Sequence, residues 1–199
     1  MNKTLKQAME IRRSHYAIDK SIKLSEEELQ ILVENAVKHT PSAFNSQSAR
    51  AILLFGDAHD KLWDITMDAL KRIVPESQFE ATAQKIDSFK AGFGTVLFYE
   101  DQSIIEGLQA QFGLYKDNFP VWSEQSNGML QYVIWTSFSS EGIGASLQHY
   151  NELISSEVAK TFDFSDKWKL IAQMPFGNPT AAPSEKQFSP IEDRVKVLR

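Results

Sequence analysis

Apolar residues recur at helical spacing after Ser25, where Leu29, Leu32, Val33, Ala36 and Val37 form one stripe with polar positions between them. Ser25 and Glu28 have the spacing of a capping box, so the stripe predicts a helix that starts at Ser25 and ends before Pro41. Ahead of it, Leu5, Ala8 and Met9 share a face of a predicted helix over residues 2–12, and Arg12 and Arg13 suit its carboxyl end. The period then changes. Residues 50–55 contain the apolar run AILLF, which predicts a buried strand. Leu62, Ile65, Ala69, Leu70 and Ile73 mark a third helix stopped by Pro75, and a shorter helix covers about 78–90. After Gly92 and Gly94, the β-branched and aromatic run TVLFY (95–99) predicts a second buried strand, closed by acidic residues.

A short amphipathic helix is expected over 102–112, and the aromatic-rich LYKDNFPVW that follows reads as a lid or as an ordered loop packed by its own rings. From Ser123 to Ser140, Leu130, Val133, Ile134 and Phe138 repeat at helical spacing, yet Met129, Tyr132 and Trp135 are large as well. Such a helix is apolar on more than one face and belongs at the centre of a core or in a dimer interface. A helix from Asn151 to about Phe162 and a strand at KLIAQMPF complete the regular pattern. The tail from Gly177 to Pro190 has little periodicity, and the terminal VKVL alternates like an edge strand. A tail of that length without packing of its own is expected to lie on a partner.

Composition narrows the possibilities. With 199 residues, 42% of them hydrophobic, and no repeat or linker, the chain is expected to form one domain, 1–199. A net charge of -5 argues against a nucleic-acid surface or a polybasic membrane anchor. The absence of cysteine removes disulfides, thiolate metal centres and a catalytic thiol, so any redox chemistry has to come from a cofactor. No apolar run approaches the roughly 20 residues a membrane helix needs, and a cytoplasmic location is expected. His15, His39, His59 and His149 lack zinc-ligand spacing, and neither a G-x-S-x-G elbow nor a P-loop occurs. No metal is expected. GIGAS (142–146) follows a predicted helix and completes no dinucleotide fingerprint.

The remaining chemistry lies in four stretches: RRS (12–14), PSAFNSQ (41–47), GASLQH (144–149) and EKQF (185–188). The second carries more hydrogen-bonding side chains than a turn needs. Arginine forks, a serine hydroxyl and a lysine suit a phosphate, while asparagine and glutamine match a planar ring edge that both donates and accepts. FMN is a ligand with both ends.

These stretches also occur in the order seen in nitroreductase-like flavoproteins, and AFNSQ and GASLQHYN resemble segments of the short bacterial and fungal branch of that family. The resemblance implies an α+β, three-layer sandwich with a central, mostly antiparallel sheet flanked by helices, in an intertwined homodimer holding two FMN at its interface. It implies that Ser42, Asn45 and Gln47 of one subunit meet the flavin ring, while Arg12, Ser14 and Lys186 of the other hold the phosphate. Arg13 and Tyr16 belong to the same site, and the backbone at Leu147, Gln148 and His149 approaches the reactive edge. Two departures stand out: Tyr16 occupies a position that is basic in many members, and the late basic pair is reduced to Lys186 and Phe188. Lys90 is a candidate to replace the missing charge. The activity implied is transfer of electrons from NADH or NADPH to nitroaromatic or quinone-like acceptors, with no side chain assigned as catalytic acid or base. The alternatives are a flavoprotein sensor without turnover and a dimeric binding module that has lost FMN.

Overall fold

The structure, a computed structural model, describes residues 4–199; residues 2 and 3 of the expected first helix lie outside them. In chain order the elements are α1 (Leu5–Ile11), β1 (Ile18–Asp19), α2 (Glu26–His39), a 3₁₀ turn (Ala43–Asn45), β2 (Ala49–Phe55), α3 (Gly56–Lys71) and α4 (Glu76–Lys90). They continue with β3 (Gly94–Asp101), α5 (Gln102–Gln111), a second 3₁₀ turn (Gly113–Tyr115), α6 (Phe119–Ser140), β4 (Gly144–Ala145), α7 (Asn151–Phe162), β5 (Trp168–Pro179) and a last 3₁₀ turn (Ile191–Asp193). The capping box read at Ser25 and Glu28 forms, and Thr4 and Gln7 make a second one at the start of α1.

The strands form one antiparallel sheet in the order β1-β5-β3-β2, with β4 also paired to β5. Along β3, Val96 and Phe98 face Leu29 and Val33 of α2 and Leu130, Ile134 and Phe138 of α6. Their neighbours Leu97 and Tyr99 face Leu62 and Trp63 of α3, Ile86 and Phe89 of α4, and Ile154 and Val158 of α7. Every residue of β3 is buried. That is why TVLFY carries no polar alternation: both faces of the sheet are covered, and successive side chains enter different cores. Opposite β3, the register of β5 slips between Ala172 and Leu170, leaving Ile171 as the bulged residue. The slip sends Leu170 into the α3/α4/α7 core although Ala172, Met174 and Phe176 enter the other.

Several boundaries differ from the sequence reading. The third helix begins at Gly56, α6 takes in Phe119 to Trp122 of the supposed connection, and β5 runs on to Pro179. Glu100 and Asp101 do not close the second strand from outside; they are its buried end. Residues 195–198 pair with no strand of their own chain, and Val195, Val197 and Leu198 are exposed. On α1, Ala8 is buried while Leu5 and Met9 face solvent.

Candidate functional site

Pro41 stops α2, and the chain must turn into the edge strand β2 within a few residues. It does so with three left-handed backbones, Phe44 (φ 57°), Asn45 (φ 52°) and Gln47 (φ 49°). Short local bonds hold the turn: the amide of Gln47 donates to Ser42 Oγ (3.0 Å), and Arg50 Nη1 donates to the Gln47 carbonyl (2.8 Å). Arg50 Nη2 reaches Asp101 Oδ2 at 2.9 Å, tying the turn to the end of β3. Burial pushes the Asp101 carboxyl up, but the hydroxyl and amide of Ser103, the Arg50 charge and Trp168 outweigh it and hold it below the usual range. The side chains of Asn45 and Gln47 are exposed. With Ser42, Thr40 and Arg50 they line a cavity of about 960 Å³ between α2 and β2, whose floor includes Val33, Ala51 and Leu53.

The other candidate residues gather elsewhere. Ser14 bridges Ala145 in parallel, and the His15 amide donates to the Ala145 carbonyl (3.0 Å). The approach needs glycine beside it, because a Cβ on Gly144 would lie 2.9 Å from that of His15. Burial lowers the His15 pKa, Arg13 lowers it further, and the Ala181 backbone opposes both. Arg12 places its guanidinium 4.2 Å above the Trp135 ring, and Arg13 donates to the Ser184 carbonyl, which draws the start of EKQF to this end of the sheet. Lys186 is exposed beside Phe188, and Tyr16 is exposed with its ring 6.4 Å from Phe89. Lys90 is already engaged, donating to Asp64 Oδ1 at 2.6 Å.

At Leu147–His149 the backbone continues alongside β5. Gln148 donates its amide to Gln173 (2.7 Å) and accepts from it (2.9 Å), so the Gln148 N–H is not available to a ligand. In an antiparallel ladder the alternate amides, those of Leu147 and His149, point away from the paired strand. Gln173 fixes the following turn as well: its Oε1 accepts from the Tyr150 amide (2.8 Å), and its Nε2 donates to Asn151 Oδ1 (2.6 Å).

The two groups of residues are far apart in one chain. β2 begins level with Glu100, whereas Ala145 lies level with Phe176 and so with Gly94. Six residues of β3 separate those levels, about 20 Å at 3.3 Å per residue. Two strands, β5 and β3, also intervene between β4 and β2. A single chain holds the candidate residues in two separate groups.

Sequence reading missed two supports of the 42–48 turn. Beneath it, Ser48 Oγ donates to Glu100 Oε2 (2.6 Å), Asn127 Nδ2 donates to Glu100 Oε1 (2.8 Å), and Gln131 Nε2 donates to Asn127 Oδ1 (2.7 Å). Burial raises the Glu100 pKa against those hydrogen bonds and the Arg50 charge. The available signal was Asn127 and Gln131 at i, i+4, two amide side chains beside Leu130 and Ile134 of the apolar stripe of α6. Beside the turn, the ring of Phe44 lies among Phe112, Phe119, Trp122 and Tyr115 at 5.0, 5.3, 6.1 and 6.1 Å. Within LYKDNFPVW, the rings of Tyr115 and Phe119 pack against Trp122, at 6.0 and 5.4 Å. Among the described residues no cluster of three His, Asp or Glu side chains has metal-site geometry.

Residues 9–178 match the model of the nitroreductase family. The nitroreductase FRM2 of Saccharomyces cerevisiae is 34% identical over 152 residues, covering 76% of this chain and 75% of that one. Solved structures of nitroreductase CinD from Lactococcus lactis, in complex with chloramphenicol and with 4-nitrophenol, superpose with a TM-score of 0.90 at 43% identity. They cover 98% of this chain and 100% of that one. The CinD complex with nicotinic acid superposes at 0.91 with 45% identity.

Proposed function

This chain belongs to the nitroreductase family, and from that premise we propose that it is an FMN-dependent oxidoreductase carrying electrons from NADH or NADPH to nitroaromatic or quinone-like acceptors. One observation carries the reading: a protein 43% identical along nearly the whole of both chains has been solved with two nitroaromatic compounds. Its complex with nicotinic acid supports a nicotinamide donor, since the two rings differ only in carboxylate against amide.

The residues fit FMN. Asn45 and Gln47 expose amides that both donate and accept, and Ser42 keeps its hydroxyl proton to donate after its oxygen has accepted from Gln47. On the other half-site, stacking over Trp135 uses the face of the Arg12 guanidinium and leaves its in-plane N–H edge for a phosphate. Arg13, Ser14 and Lys186 add donors beside it, and Tyr16 offers a neutral phenol. Because the half-sites lie at opposite ends of one sheet, the ring would rest on one subunit's 42–47 turn and the phosphate on the other's 12–16 segment. A homodimer is therefore part of the proposal.

When bound, FMN supplies the redox chemistry, taking a hydride equivalent from the nicotinamide and releasing it to the acceptor. The chain's work is to hold and tune it. The amide of Leu147 or His149, turned away from β5, would be free to donate to the edge of a bound flavin ring that gains negative charge on reduction. No side chain is required as acid or base; Glu100 is walled off beneath Ser48, and solvent supplies protons. No helix among the described residues is long and apolar enough to cross a membrane, and the enzyme is proposed to work in the cytoplasm.

With one flavin and no separate nicotinamide-binding fold, donor and acceptor use the same ring face in turn, so the kinetics are ping-pong. Double-reciprocal plots at several acceptor concentrations are expected to be parallel, with excess acceptor competing against NAD(P)H. Intersecting lines would overturn the shared face. If neither NADH nor NADPH bleaches the bound flavin without oxygen, the protein is a sensor rather than a reductase.

A further inference from the structure

We propose that Phe44 is a positioning residue: its ring, gripped by Phe112, Tyr115, Phe119 and Trp122, holds the 42–47 turn in the left-handed backbone that presents Ser42, Asn45 and Gln47 to the flavin. The inference rests on the flavin reading above. Asparagine is among the L-residues that adopt a positive φ most readily, as Asn45 does here, but a bulky aromatic residue at φ 57° is an outlier. A conformation of that kind persists only where the surroundings impose it, and such outliers concentrate at ligand clamps.

Trp122 lies nearly parallel to the Phe44 ring (19°), while Phe119 meets it edge on (68°), two arrangements that fix a ring from different sides. The gripping residues come from the end of α5, the connection after it and the first turn of α6. Yet the Phe44 side chain remains 51% exposed. Filling a core does not account for it; bonds at Ser42, Gln47 and Ser48 tie the flanks of the turn, and the Asn45 and Ser46 amides close it across residue 44 by donating to the Ser42 (3.0 Å) and Ala43 (3.1 Å) carbonyls, so the rings add the hold on the Phe44 side chain that these backbone bonds do not give. Loss of the ring leaves an L-residue free to abandon positive φ and carry Asn45 and Gln47 with it.

The test compares FMN dissociation constants, read from quenching of flavin fluorescence, for the full-length wild type and for Phe44→Tyr, Phe44→Ala and Phe44→Gly, with circular dichroism confirming the fold of each. Tyrosine keeps the ring and is expected to bind as the wild type does. Alanine loses the grip and retains the penalty of a left-handed L-residue, a loss of about tenfold. Glycine loses the grip but adopts positive φ freely, so its affinity falls between wild type and alanine. Glycine no better than a weakened alanine would reduce Phe44 to a packing residue, and alanine equal to wild type would remove it from the site; either result overturns the inference alone. Failure of the wild type to bind FMN overturns the flavin reading, and the inference with it.

Discussion

Single residues here serve two masters, and Arg12 is the plainest case. In the sequence it reads equally as a charge suited to a helix end and as a phosphate ligand; in the structure it lies just past α1 and stacks over Trp135, which fixes its direction without consuming its donors. Arg12→Ala is expected to weaken FMN binding by about one to two decades, the equivalent of about 1.5–3 kcal/mol for a charge-assisted contact. Arg12→Lys keeps the charge but loses the fork and stack, so it restores only part. Unchanged affinity in a folded Arg12→Ala protein, measured by equilibrium titration, would take Arg12 out of the site. His59 shows the opposite outcome for a chemically suggestive residue. Its Nε2 faces the Lys90 carbonyl and must donate, so its Nδ1 accepts from Thr95, which in turn accepts from Trp63. Burial lowers its pKa, and it is a neutral core residue. The Gln148 amide could not be judged from local pattern, since its partner, Gln173, lies 25 residues on and is paired only by the fold.

Among the elements, legibility followed periodicity. α2 was readable from its stripe and cap, and TVLFY from its β-branched run, because those signals are local. The ends of β3 and β5 were not, since Glu100 and Asp101 look like solvent residues until Ser48 and Arg50 at the start of β2 and Asn127 of α6 are brought against them. The bulge at Ile171 was equally hidden: one extra residue changes which core a side chain enters, and only the pairing with β3 reveals it. The buried Glu100 makes the β3–α6 contact testable. Its folded pKa lies above the unfolded 4.5, so folding favours the protonated form. That contribution is full below pH 4.5 and is lost as pH rises through the folded pKa. Glu100→Gln keeps an acceptor for Asn127 and does not titrate, so its urea midpoint should gain on the wild type as pH rises from 4.5 through the folded pKa of Glu100. Glu100→Ala strands Ser48 and Asn127 and should cost about 1–3 kcal/mol. A constant difference between wild type and Glu100→Gln across that range would show that Glu100 does not titrate as argued.

At the scale of the whole molecule, the apolar surface left outside the two cores decides what the chain does next. Leu5, Met9 and Ile11 of α1 and Met129, Tyr132 and Val133 of α6 are exposed, more than a lone monomer usually leaves uncovered on neighbouring helices. The unpaired edge of β2 borders a cavity whose floor is Val33, Ala51, Leu53 and Phe55 and whose lining includes Glu26, Glu27 and Glu34. The last residues match it in kind: Val195, Val197 and Leu198 are exposed and apolar, and Arg194, Lys196 and Arg199 are basic. The segment pairs with no strand of its own chain although the edge of β2 is open there, so the edge strand read in VKVL is absent from one chain; in the proposed dimer the same open edge on a second copy would take it. Deleting residues 190–199 is therefore expected to lower the dimer's thermal midpoint, shift its sedimentation toward monomer at micromolar concentration and release FMN, since each flavin would lose the partner that closes its site. Lys196→Glu should act in the same direction more weakly, and its defect should shrink as salt screens the added repulsion from the acidic lining. A truncated chain that sediments as a monomer and still carries FMN would contradict both the shared site and the role given to the tail.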